Sequence, residues 1–236
     1  MWSEDAQDGN PLQNVSFPSG GQRAHGYLAL PNTGSGPGLI VIQEWWGLTD
    51  HVATLTERFA KEGFVALAPD LYGGRTTHDA AEAFELMRAL PVEQAARDLV
   101  GAVDYLLGHS EVTSDAVGAV GFCMGGGFVL TLALQQGSRV AAAVPFYGYQ
   151  ELPDDVSGFT AALQGHYGSA DESVPIDAIR SLFERIDRQT GHQSELHVYP
   201  AGHAFLNDEN LLGTYDPAQA AIAWERAVGF LHAHLG

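Results

Sequence analysis

Ala116-Val117-Gly118-Ala119-Val120-Gly121-Phe122-Cys123-Met124-Gly125-Gly126 decides how this chain is read. The apolar run up to Val120 has the make-up of a strand buried on both faces, and a helical pattern begins near Gly125. The layout is strand, sharp turn, helix, with the only cysteine of the chain at the turn. Small residues flank that turn because a tight backbone leaves no room for side chains between helix and strand. A thiol at this point stands where a nucleophile would, and the amide of Met124 points toward the place where a substrate oxyanion would form. Most lone cysteines are simply small buried apolar residues; the turn argues against that here.

Outward from this turn, strand-like and helix-like segments alternate. Segments 15–17 and 24–30 read as an opening antiparallel hairpin around Ser19-Gly20-Gly21, and the wholly apolar run 38–42 as a buried strand. Thr49-Asp50 opens a helical pattern through Val52, Leu55, Phe59 and Ala60 that stops at Gly63. A strand at 64–68 ends at Pro69, and helices follow at 78–89 and 92–108. After the cysteine come a helix to about Gln136, strands at 140–146 and 162–167, a helix at 176–189, a strand at 195–199 and a helix at 217–234. Repeated β-then-α implies an α/β fold: a single doubly wound, mostly parallel sheet with helices on both faces. No internal repeat or flexible linker divides it, so 13–236 is expected to be one domain behind a mobile segment 1–12.

Charge narrows the function classes. Eleven basic against 29 acidic residues give a net charge of −18, which disfavours nucleic acid and anionic membranes as partners. A single cysteine rules out an internal disulfide. The first nine residues carry Glu4, Asp5 and Asp8 and no basic side chain, the opposite of a secretory leader. No apolar run approaches the roughly 20 residues of a membrane span. A cytoplasmic chain is the expectation, and oligomeric state leaves no signature.

In a doubly wound sheet, active sites gather beyond the carboxyl ends of the strands. Beyond 162–167 lies Gly168-Ser169-Ala170-Asp171, and beyond 195–199 lies Pro200-Ala201-Gly202-His203. Cys123, Asp171 and His203 thus follow in the order nucleophile, acid, histidine, the order of α/β-hydrolases. His203 can take the thiol proton and return it to a leaving group, while Asp171 holds the ring tautomer. Paired with histidine, a cysteine becomes the reactive thiolate. Taken alone, Asp171 is equally a turn former, Glu172 is its nearest rival, and ten histidines dilute His203. His232 and His234 lie two apart on a helix, on different faces, so no metal site is expected there.

The chain resembles the dienelactone hydrolases (carboxymethylenebutenolidases), within the α/β-hydrolase fold, from about Val15 to Leu235. The resemblance rests on Gln43-Glu44-Trp45-Trp46-Gly47-Leu48, Ala68-Pro69-Asp70-Leu71-Tyr72, the Cys123 turn, and Tyr199-Pro200-Ala201-Gly202-His203-Ala204-Phe205. It implies Cys123 as nucleophile, Asp171 and His203 as its partners, and the amides of Trp45 and Met124 as the oxyanion hole. It also implies that Glu44 touches the resting thiol and swings to deprotonate it when substrate binds. A lone carboxylate between an apolar strand and two tryptophans would have its pKa raised by desolvation, which suits a base; the plain alternative is a structural carboxylate capping the loop.

The chain departs from the family at its substrate grip. The resemblance implies two arginines on the substrate carboxylate. Arg75 stands about one position late, after Gly73-Gly74, and the second position, four past the histidine, holds Asn207. An asparagine donates a hydrogen bond without charge, at a cost of about 1–3 kcal/mol in charge-assisted bonding. Trp45, Trp46, Phe122, Tyr147 and Phe205 are expected to line an apolar pocket, although aromatic residues as often fill core. The expectation is a small ester or lactone cleaved through a thioester, with no metal or cofactor. A hydrolase of another activated ester or thioester, or a redox-sensing thiol or binding scaffold on the same fold, are the alternatives.

Overall fold

A computed structural model of the chain describes residues 10–236. The elements run β1 (Val15–Ser19), β2 (Gln22–Ala29), β3 (Gly38–Ile42), α1 (Asp50–Lys61), β4 (Val65–Pro69), α2 (Ala80–Ala89), α3 (Val92–Leu107) and β5 (Val117–Phe122). They continue with α4 (Met124–Gln136), β6 (Val140–Phe146), β7 (Ala162–Gly168), α5 (Ile176–Thr190), β8 (Glu195–Tyr199) and α6 (Pro217–Leu235). The strands form one 8-stranded sheet in the order β1-β2-β4-β3-β5-β6-β7-β8. β2 alone runs against the rest, pairing antiparallel with β1 at the edge and with β4 inside it; β3 to β8 pair in parallel.

Alternation along the central strands fixes two core layers. Ile40 and Ile42 face one side with Leu99 of α3, Val129 of α4 and Ile179 of α5. Leu39 and Val41 face the other with Val52 of α1 and Leu231 of α6. Strands buried on both faces explain the unbroken apolar runs in the sequence. The mostly parallel sheet with helices on both faces is therefore the architecture of the chain.

The domain begins earlier than position 13. Asn10 is buried and its Nδ2 donates to the carbonyl of Leu48 at 2.7 Å, while its Oδ1 accepts from the amide of Leu12. Residues 10–12 are thus docked; the rest of the segment expected to be mobile, 1–9, lies outside the described residues.

Candidate active site

The β5–α4 junction is as tight as its glycines imply. Cys123 sits at φ 53°, ψ −119°, in the positive-φ half of backbone space that non-glycine residues seldom occupy. A strain of about 1–3 kcal/mol is typical there and persists only where the surroundings impose it. They do so here: the Cys123 amide donates to the Phe146 carbonyl at 3.1 Å, and its own carbonyl accepts from Gly126 at 3.0 Å. A Cβ on Gly121 would lie 2.3 Å from the Gly125 carbonyl oxygen, so only glycine lets α4 leave β5 at this angle. The result lifts the thiol clear of the sheet at the carboxyl end of β5.

The loops after β7 and β8 meet it there. Ser169 donates to the Tyr199 carbonyl at 2.7 Å and Ala170 to that of Ala201 at 3.0 Å, prolonging the β7–β8 pairing into both loops. Those bonds bring Asp171 and His203 into register. His203 Nδ1 lies 2.7 Å from Asp171 Oδ2, and its Nε2 lies 3.1 Å from Cys123 Sγ. Ser173, which the sequence did not flag, completes the arrangement. Its hydroxyl donates to Asp171 Oδ1 at 2.6 Å and stands 3.0 Å from His203 Nδ1. The amides of Ser173 and Val174 also donate to Asp171 Oδ1.

These bonds set the charges. Burial opposes a charge on His203, but its hydrogen bonds with Asp171 and Cys123 outweigh it and push the imidazole up to about 10. Burial likewise works to raise Asp171, yet the donors from His203 and Ser173 hold it below the usual carboxylate value. An aspartate–imidazolium couple beside the sulfur is the net result.

Glu44 is placed differently from the resemblance. Its carboxylate is buried, accepting from Tyr147 Oη at 3.1 Å and from Asn207 Nδ2 at 2.6 Å. Both oxygens are thus held by other donors, and the thiol's hydrogen-bond partner is His203. Burial raises the Glu44 pKa; His51, Asn207 and Tyr147 pull it back. His51 is itself buried and holds Asp208 at 2.9 Å. Tyr147 links the two centres: its ring packs edge-on against His203 at 5.2 Å while its hydroxyl reaches Glu44.

The triad opens into a cavity of about 640 Å³. Trp45, Met124 and Tyr147 line it, as the sequence suggested, and among the described residues the amides of Trp45 and Met124 bond no protein acceptor. Four other expected lining residues lie elsewhere. Phe122 shares the inward phase of Val120 and packs on Phe146 at 5.0 Å, beneath the sheet. Phe205 is wedged between Tyr147 and Tyr199, and Trp46 is buried at the edge of Trp45. Asn207 is consumed by Glu44. Arg75 is outside the wall as well, exposed, with its guanidinium 3.8 Å from Glu82. The sequence missed Tyr149 and Val174, close in the chain to Tyr147 and Asp171, and Met87 of α2 and Leu212, which come to the cavity from distant segments.

Among the described residues no cluster of three or more histidines, cysteines or carboxylates could hold a metal, and no helix is long and apolar enough to cross a membrane. His232 stacks on Phe64 and His234 packs at a tilt against Phe230, each from α6.

The parallel sheet and the strained turn at its centre define an α/β-hydrolase fold. The pattern of the dienelactone hydrolase family matches residues 24–235, and the chain belongs to that family. It is 33% identical over 231 residues to the protein usf of Aquifex pyrophilus, covering 94% of this chain and 99% of that one. It is 32% identical to the "Probable 2-oxo-3-(5-oxofuran-2-ylidene)propanoate lactonase" of Bradyrhizobium sp., over 94% of each. Among solved structures it resembles the dienelactone hydrolase-like promiscuous phosphotriesterase P91 from metagenomic libraries, with a TM-score of 0.81 at 27% identity, covering 94% of this chain and 97% of that one. The chain is accordingly a hydrolase of the dienelactone hydrolase type.

Proposed function

We propose that the chain hydrolyses small esters or lactones through a Cys123–His203–Asp171 triad and a thioester intermediate. The observation that carries this reading is the unbroken chain of short contacts, 2.7 Å from Asp171 to His203 and 3.1 Å from His203 to Cys123, ending on a strained turn. At that distance His203 can take the proton of the thiol, which makes the nucleophile. The thiolate attacks the acyl carbon, and the carbonyl oxygen, now an oxyanion, takes the free amides of Trp45 and Met124. As the tetrahedral adduct collapses, the carbon–oxygen bond to the leaving group breaks and His203 gives that oxygen its proton. Water then adds to the thioester carbon, losing a proton to His203; the acid leaves and the thiolate–imidazolium couple is restored.

Glu44 acts in this scheme from behind, through the Tyr147 ring that braces His203, and the proton leaving the thiol goes to His203. Two of the three similar proteins named above carry a substrate in their names: one a lactone bearing a carboxylate, the other phosphotriesters, which carry no charge. Steady-state hydrolysis of 4-nitrophenyl acetate by the wild type and Cys123→Ala tests the triad. Turnover lost in the variant, with its melting temperature kept, is the expected result. Turnover retained at the wild-type rate would overturn the assignment.

A further inference from the structure

The wall of the cavity carries an unexpected charge balance. Among the described residues no lysine or arginine lines it, and residues 1–9 bring none to it by sequence. Its ionisable wall is instead acidic, with Glu172 beside Asp171. The cation within reach, His203, already has Asp171 at 2.7 Å and the sulfur at 3.1 Å. Two polar side chains near the site are engaged elsewhere: Arg75 turns outward to Glu82, and Asn207 Nδ2 is spent on the buried Glu44. The rest of the wall is mostly apolar, with Ser173 and Thr214 adding neutral hydroxyls. Met87, Met124 and Val174 line its flanks, and at the mouth Tyr149 and Leu212 stand 40% exposed, too far into solvent to be there for core packing.

Resting on the triad reading above, we infer that this cavity selects uncharged, apolar ester or lactone substrates and rejects those carrying a carboxylate near the scissile bond. A carboxylate entering it would leave water for a mostly apolar wall whose cation, His203, is already paired with Asp171, and would share that wall with Glu172. The approach is unfavourable too, because a net charge of −18 repels an anion before it arrives. An apolar acyl or aryl group instead gains the methionine and tyrosine surfaces at no electrostatic cost. The selection is therefore built by removing positive charge from a cavity that keeps its triad.

The test is a matched pair: a dienelactone bearing its carboxylate and the same lactone as the primary amide. Each is assayed as substrate and as competitor of 4-nitrophenyl acetate turnover, so that a compound that binds without reacting still yields an affinity. The amide should exceed the carboxylate at least tenfold in kcat/KM, or in affinity where neither turns over. Added salt should shrink that ratio by screening, as should Glu172→Gln, and Leu212→Arg should raise handling of the carboxylate alone. A carboxylate handled as well as the amide would overturn the inference, the more plainly if Arg75→Ala then abolished its advantage; so would an amide that neither reacts nor competes. Loss of the triad reading would look different: 4-nitrophenyl acetate turnover would survive in Cys123→Ala.

Discussion

Tyr147→Phe removes one hydroxyl and leaves a ring packed against His203 and Phe205, so it isolates the bond to Glu44. That bond reaches a carboxylate with 2% exposure, whose other oxygen depends on Asn207. A hydrogen bond to a charged group contributes about 1.5–3 kcal/mol, and one to a neutral group about 0.5–1.5 kcal/mol. The loss of stability should therefore depend on whether Glu44 is ionised. Its folded pKa lies above the ordinary 4.5, because burial penalises the charge. Stability thus falls as pH rises from the unfolded value through the folded one. Without the hydroxyl the folded pKa rises further, because the lost bond favoured the charged carboxylate more than the neutral one. The gap between wild type and variant should be smallest in acid, where Glu44 is protonated in both proteins. It should widen by about 1 kcal/mol once pH exceeds both folded values. At roughly 2–4 °C per kcal/mol for a chain of this size, thermal melts across a pH series resolve that widening. A constant difference at every pH would refute the reasoning, because it would mean that Tyr147 does not hold a charged Glu44.

Asp171→Asn should lower kcat/KM by about 10³–10⁴-fold, since the wrong imidazole tautomer faces the thiol; a loss below tenfold would contradict the role. In the same variant the His203 pKa should drop from about 10, read by NMR titration, because the partner that outweighs burial is gone. Ser173→Ala should slow kcat several-fold and shift its pH profile while KM stays level, with Ser173→Thr restoring both, as expected of a hydroxyl that positions His203 through Asp171. Gly121→Ala places a Cβ 2.3 Å from the Gly125 carbonyl oxygen. Forcing the helix off the strand should cost about 1–3 kcal/mol, visible as a lowered melting temperature together with lost activity; an unaltered melt would contradict the tight-junction account.

What the sequence made legible was whatever local chemistry and strand ends determine. Cys123, Asp171 and His203 each follow a strand, so their meeting could be foreseen from chain order alone. Glu44 could be foreseen as buried, because apolar residues and two tryptophans surround it in sequence. Its partners could not, since Asn207 lies 163 positions away and its donor is set only by packing. Aromatic identity misled in the same way. Phe122, Phe205 and Trp46 are large and apolar, which fits a pocket wall and a core equally; the face is decided by alternation, and Phe122 shares its phase with Val120. Met87 and Leu212 reach the cavity from α2 and from the loop before α6, and no local pattern announces that. Ser173 was within reach: an aspartate followed two residues later by serine is a turn in which the hydroxyl bonds the carboxylate.

In the proposed reaction Cys123 carries the acyl group during turnover. Rapid-quench mass spectrometry of the intact protein with 4-nitrophenyl acetate, followed by peptide mapping, tests it most directly. The expected result is a burst of nitrophenol matched by one acetyl group on Cys123 that decays at the steady-state rate, and its absence in Cys123→Ala. Turnover with no adduct, or with the acetyl group on another residue, would contradict it.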